Sequence, residues 1–217
     1  MNKKILITII AGLIVIAGVA IFFVFHFKSD IKLTESSSGI TIKYTNNAKS
    51  NNVANMISLT EDEILKNPSY SIVKGTVEDV DNIKISFGGF GDTSYGAIIT
   101  LKVDEIISGS NVDDTIDIFV QCPIGTDVAQ EDSDTVSTIA EDVEGIFIIE
   151  KYDAEETWEE NGKILYMYEI APYGMMDGER FAFIMNDDEL VCDQIYSGLS
   201  KDSSLNDVKE YILNKIS

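Results

Sequence analysis

Residues Ile5 to Phe25 form a run of 21 side chains without a single charge, and Lys3 and Lys4 stand in front of it. A helix of that length, at about 1.5 Å per residue, matches the hydrocarbon thickness of a bilayer. The run exceeds the apolar stretch of a cleavable signal peptide, about 7–15 residues. No A-x-A-like site follows it, and no cysteine lies nearby to accept a lipid. The expectation is an uncleaved signal anchor over residues 1–27. Its basic end faces the cytoplasm, and the C-terminal bulk of the chain lies outside the cell membrane.

Beyond the anchor the charge is one-sided. Of 16 basic side chains only Lys3, Lys4 and Lys28 precede Ile31, and of 37 acidic ones only Asp30 does, so residues 31–217 carry a net −23. Such a surface repels nucleic acid and anionic head groups, which are polyanions themselves. Nucleic acid is therefore excluded as a partner. The acidity reads as the solvating surface of an exported domain.

Residues 28–58 are rich in Ser, Asn, Thr and Lys and read as a flexible stalk, interrupted by the alternating Ile40-Thr41-Ile42-Lys43-Tyr44. A β-rich domain is expected over 59–217. Thr60-Glu61-Asp62-Glu63 is a capping box that starts a short helix, and Asn67-Pro68 ends it. Period-two patterning then predicts a strand from Tyr70 with Gly75 at a bend or bulge, and a second from about Tyr95 to Ile107. Thr115 to Cys122 is expected as a strand with Ile116, Ile118, Val120 and Cys122 inward. Gly145 to Glu150 is a continuous apolar run, the pattern of a strand buried on both faces.

Asp153 to Gly162 is expected as a charged hairpin tip before a strand at Ile164 to Ile170, and Tyr173 to Gly178 as a turn. Arg180–Met185 and Glu189–Ile195 read as a hairpin around Asn186-Asp187-Asp188. Ser203 or Ser204 caps a final helix from Leu205 to Ile216 with an apolar stripe. The sum is a mainly β protein: a transmembrane helix, then a small antiparallel barrel or sandwich with a short helix before it and a C-terminal helix.

Three segments carry a resemblance: Ser71-Ile72-Val73-Lys74-Gly75-Thr76-Val77, the stretch Ile99 to Ser110, and Asp117-Ile118-Phe119-Val120. Together they resemble an OB-like barrel core. The chain is similar there to uncharacterised membrane-anchored extracytoplasmic proteins of Gram-positive bacteria, and more remotely to netrin and metalloproteinase-inhibitor domains. The similarity covers about Ser71 to Glu150, or 80 of 217 residues, and its motifs are strand patterns. Those inhibitors act through an N-terminal cysteine, and this barrel has none at its start, so that activity does not carry over.

Candidate chemistry is sparse. The one histidine, His26, lies at the membrane edge, which removes Ser-His-Asp and Cys-His catalysis and ordinary zinc sites. Acidic pairs arise by chance among so many carboxylates, and glycosidase chemistry also needs an aromatic-lined cleft. Gly88, Gly89, Gly91 and Gly96 suit a hairpin loop better than a phosphate cradle, because a strand follows and the loop holds no lysine. Asp127, Glu131, Asp132, Asp134, Glu141 and Asp142 offer oxygen ligands, but the EF-hand glycine and terminal glutamate spacing are missing. A solvated loop is the expectation there.

Trp158, Tyr166, Tyr168 and Tyr173 offer a stacking surface or, as the plainer reading, packing. Cys122 and Cys192 permit one disulfide, and two free thiols acting as small hydrophobes fit the same count. The expected function is thus non-enzymatic and without cofactor. It is a membrane-anchored module that binds an envelope protein, peptide or glycan, with pairing of its membrane helix to another protein as the second reading.

Overall fold

The structure, a computed structural model, describes residues 28–49, 59–89, 93–125 and 134–217. The expected anchor at residues 1–27 and His26 lie outside the described residues. Among the described residues, no helix is long and apolar enough to cross a membrane. The chain divides into two units, and the second, Ile31–Ser217, contains all the architecture that follows.

This unit is mainly β, with an eight-stranded sheet, a separate two-stranded hairpin and a C-terminal helix. The main-sheet strands are β1 (Thr41–Tyr44), β2 (Tyr70–Ser86), β3 (Thr93–Ser108), β4 (Thr115–Val120), β5 (Glu144–Lys151), β8 (Tyr173–Met175), β9 (Ala182–Asn186) and β10 (Glu189–Val191). β6 (Thr157–Glu160) and β7 (Lys163–Tyr166) make the hairpin, and the helices are α1 (Glu61–Leu65) and α2 (Leu205–Ile216). The sheet order is β1-β2-β3-β4-β8-β5-β9-β10, and β2 pairs with β5 as well. β2, β3, β4, β8 and β5 therefore close a ring of hydrogen bonds, leaving β1 and β9–β10 as extensions.

Local chemistry explains most elements. The Thr60 hydroxyl accepts from the Glu63 N–H while the Glu63 carboxylate accepts from the Thr60 N–H, so the expected capping box forms on α1. Ser204 and Asp207 do the same for α2, whose Leu205, Val208 and Ile212 are buried. The β2–β3 register shifts between Lys74 and Gly75, where the sequence suggests a bend. Asp187 and Asp188 both take positive φ in the two-residue turn between β9 and β10.

Several expectations need correction. The stretch read as a stalk belongs to the domain from Ile31 onward. Ile42 is fully buried opposite Ile85, Ile40 and Ala48 are buried too, and Ile31 bridges to Ile42. Its polar side chains mimic a linker because their partners lie far along the chain. Residues 50–58 fall outside the described residues. Not every pairing is antiparallel, since β4 and β8 run parallel. Tyr173 begins a strand rather than a turn, because the three residues of β8 are what close the ring between β4 and β5.

The charged tip is also shorter than expected. Thr157 to Glu160 forms β6, and the turn narrows to Asn161-Gly162, both at positive φ. Strand β7 ends at Tyr166, and a 3₁₀ turn over Met167–Glu169 replaces the rest of the expected strand. Cys122 lies just past the end of β4 and is half-buried.

The apolar interior is in two parts. The larger joins ring residues such as Ile99, Leu101, Ile118 and Phe147 to Ile64 and Leu65 of α1 and to Val208 and Ile212 of α2. The smaller contains Ile40, Ile42, Ile83, Ile85, Phe87, Ile98, Phe119, Leu165, Met167, Ile170 and Ala171.

Candidate functional site

The second core shows which face of the ring is covered. Ala97 and Ile99 belong to the main core, and Ile98 between them belongs to the second. Likewise Ile118 and Val120 face the main core while Phe119 faces the second. Strand side chains alternate between faces, so Ile98 and Phe119, which are direct cross-strand partners, project from the opposite side of β3–β4. An open barrel exposes that face to solvent. Here Ile40 and Ile42 from the N-terminal strap, with Leu165, Met167, Ile170 and Ala171 from the β5–β8 connection, close over it. Each fully buried side chain of this size contributes about 1.5–3 kcal/mol.

Polar contacts fasten the cover. The Glu169 carboxylate accepts from the backbone N–H groups of Thr34, Glu35 and Ser36 and from the hydroxyls of Thr34 and Ser36. Ser37 exchanges bonds with Ile164: its N–H donates to the Ile164 carbonyl at 2.8 Å, and its hydroxyl accepts from the Ile164 N–H at 2.9 Å. The Ser36 hydroxyl accepts from the Tyr166 N–H at 3.0 Å. Residues 36–37 thus occupy the outer edge of β7. Tyr168 donates its hydroxyl to Glu35 at 2.6 Å, which pushes the phenol up to about 12. From the start of β7, Lys163 donates to the Phe87 carbonyl at the head of the glycine-rich loop.

Burial raises the Glu169 pKa, but the Ser36, Thr34 and Glu35 donors outweigh it and hold the carboxyl down at about 2. Glu169 therefore favours the folded state when ionised. That contribution is complete above the ordinary glutamate value of 4.5 and is lost as pH falls toward 2.

Glu179 behaves in the opposite sense. It accepts from the Thr135 N–H at 2.8 Å and the Thr135 hydroxyl at 2.9 Å, yet burial outweighs these bonds and raises its pKa. Glu150 is raised by burial first, then by Glu156 and Asp153. Both favour the folded state when protonated, and that benefit fades as pH rises through their folded values. Stability is therefore expected to rise from neutral pH into the mildly acidic range and to fall again below 4.5. Denaturant midpoints across pH check this.

Glu169→Gln is expected to cost about 1–2 kcal/mol, allowing for solvent access to the site. It should also flatten the acid limb of the pH profile and speed amide exchange at Thr34 to Ser36. An unchanged acid limb would show that Glu169 does not hold the strap.

The expected aromatic surface does not assemble as four residues. Tyr173 is buried in the main core, and Trp158 packs on Phe87 with ring centroids 5.5 Å apart. Tyr166 and Tyr168 stay together, half-exposed, at 5.6 Å. Register places Thr157 and Tyr166 opposite each other, so Tyr166 lies on the other face of the hairpin from Trp158.

The thiols of Cys122 and Cys192 are free rather than bridged. Burial, then neighbouring carboxylates, pushes them up to about 12 and about 11, far from the range of a nucleophilic thiolate. Among the described residues no three metal-ligating side chains gather, and Asp127, Glu131 and Asp132 lie outside them. Local patterning misses Glu169, Glu179 and Lys163, since each acts on a segment at least 43 residues away.

No protein-family model matches the chain, and neither a curated protein nor a solved structure does so.

Proposed function

We propose that this chain is a non-enzymatic, membrane-anchored module that displays an OB-like barrel and binds a protein, peptide or glycan of the cell envelope. The ring order β2-β3-β4-β8-β5, with its parallel β4–β8 pair, supports the OB-like reading. On that reading β3 and β4 are the second and third barrel strands, whose face, with the first and fourth connections, is where OB-folds take ligands.

The observation that carries the proposal is the second apolar core. Ile98 and Phe119 on that face are buried by the chain's own strap and hairpin. The ordinary ligand groove is filled, and its place on the surface is taken by the β6–β7 hairpin. Binding accordingly belongs to the hairpin's outer side, where Ile164 stays 36% exposed beside Tyr166.

Photo-crosslinking in intact cells tests this. A benzophenone side chain at Ile164 should give discrete adducts, and one at the equally exposed Leu213 of α2 should not. Adducts at neither position would overturn the binding reading. Adducts that depend instead on the identity of the Ile5–Phe25 helix would favour pairing within the membrane.

A further inference from the structure

We infer that the outer edge of β6 is a docking edge for an extended, basic peptide segment, which adds to the hairpin as a further strand. This rests on the binding-module reading above and names its surface and ligand class.

Antiparallel partners alternate between pairs that exchange both backbone bonds and pairs that exchange none. Ile164 and Tyr166 direct their N–H groups away from β6, to Ser37 and Ser36, and the Ile164 carbonyl takes the Ser37 N–H. Both residues therefore belong to non-exchanging pairs. Their partners across the hairpin are Glu159 and Thr157. By the same parity, Thr157 and Glu159 aim their N–H and C=O groups outward, away from β7. No described residue accepts or donates there. The layers run strap, β7, β6, and then an edge with no partner among the described residues.

Charge decides what can fill it. Thr157 and Glu159 are exposed on β6, and Glu155 is exposed just before it. Carboxylates along an edge repel a second copy of a chain that carries −23 beyond residue 30, so self-pairing is disfavoured. The same carboxylates attract lysine and arginine side chains on an added strand, while main-chain bonds to Thr157 and Glu159 supply the affinity. Ile164 and Tyr166 lie on the same exposed hairpin face as Thr157 and Glu159, an apolar strip beside the acidic edge.

The test uses the full-length protein in detergent micelles and a short fluorescein-labelled peptide of alternating lysine and threonine, read by anisotropy. A second peptide carries N-methyl groups on alternate backbone nitrogens, which keeps the charge and removes donors. Thr157→Pro deletes one outward N–H without touching a β6–β7 bond, and edge positions of this kind tolerate proline. The wild type is expected to bind the unmodified peptide, with at least about tenfold weaker binding by the N-methylated peptide and by Thr157→Pro. The chain's one tryptophan, Trp158, reports whether the hairpin is intact.

Equal binding of both peptides shows attraction by surface charge alone and overturns the inference. So does equal binding by Thr157→Pro, or no binding at all. The N-methyl comparison needs no variant and stands even where Thr157→Pro unfolds. Crosslinks from Ile164 that persist in Thr157→Pro would leave the binding module standing and remove only the β6 edge.

Discussion

Alanine at position 75 is expected to destabilise the protein by about 3 kcal/mol or more, the upper range for overpacking. A methyl on Gly75 meets the Lys102 carbonyl oxygen at 2.3 Å and Leu101 Cγ at 3.0 Å. The first contact is with backbone, which cannot swing aside as a side chain can. Gly75 also sits between two neighbours, paired with Val103 of β3 and with Gly145 of β5. Relief on one side strains the other, and opening either pair opens the ring. Chemical denaturation of wild type and Gly75→Ala measures the loss. A loss below about 1 kcal/mol would mean that the ring is loose enough at this point to absorb a methyl group, contrary to the packing described.

Phe119→Ala is expected to cost about 3–5 kcal/mol, the range for truncating a buried phenylalanine. Its second consequence is more informative than its size. Phe119 is fully buried in the smaller core, the cluster on which Trp158 packs. Emptying that volume should loosen the cover, shift the Trp158 emission to the red and speed amide exchange across Thr34 to Tyr44. Ile118→Val is the control one residue away, on the other face of β4. It should cost about 0.5–1.5 kcal/mol and leave Trp158 emission unchanged. Equal effects of the two substitutions on Trp158 would mean that the cover and the barrel form one core rather than two.

Elements that depend on neighbours in sequence were legible. Both capping motifs are complete within four residues, so Thr60 marked one helix start, and the Ser203-Ser204 pair marked the other to within one residue, with Ser204 the cap in the structure. The continuous apolar run at Gly145 to Glu150 located β5, which is buried on both faces. Period-two patterning located β2, β3 and β4, because a strand with one face in the core writes that face into alternate positions. Gly75 was readable as a bend for the same reason, being the one residue without a side chain in an alternating run.

The cover and the open edge were not legible. Ser36-Ser37-Ser38-Gly39 has the composition of a linker, and its fastening comes from Glu169, which holds Ser36, and Ile164, which holds Ser37, both more than 120 residues away. Tyr173-Gly174-Met175 looks like part of a turn, and it is a strand only because β4 and β5 leave a gap of that width between them. Gly174 fits there since the Tyr152 side chain occupies the space its Cβ would need.

The sequence alone establishes an apolar run at Ile5 to Phe25, a strongly acidic remainder, and alternating apolar segments enough for a β core. Only the tertiary structure decided that this core is two, that the expected stalk is a strap, and that no described residue pairs with the outer edge of β6. Periodicity records which face of a strand is buried. It holds no record of what buries it, because contacts closed over more than a hundred residues depend on where the whole chain has already folded.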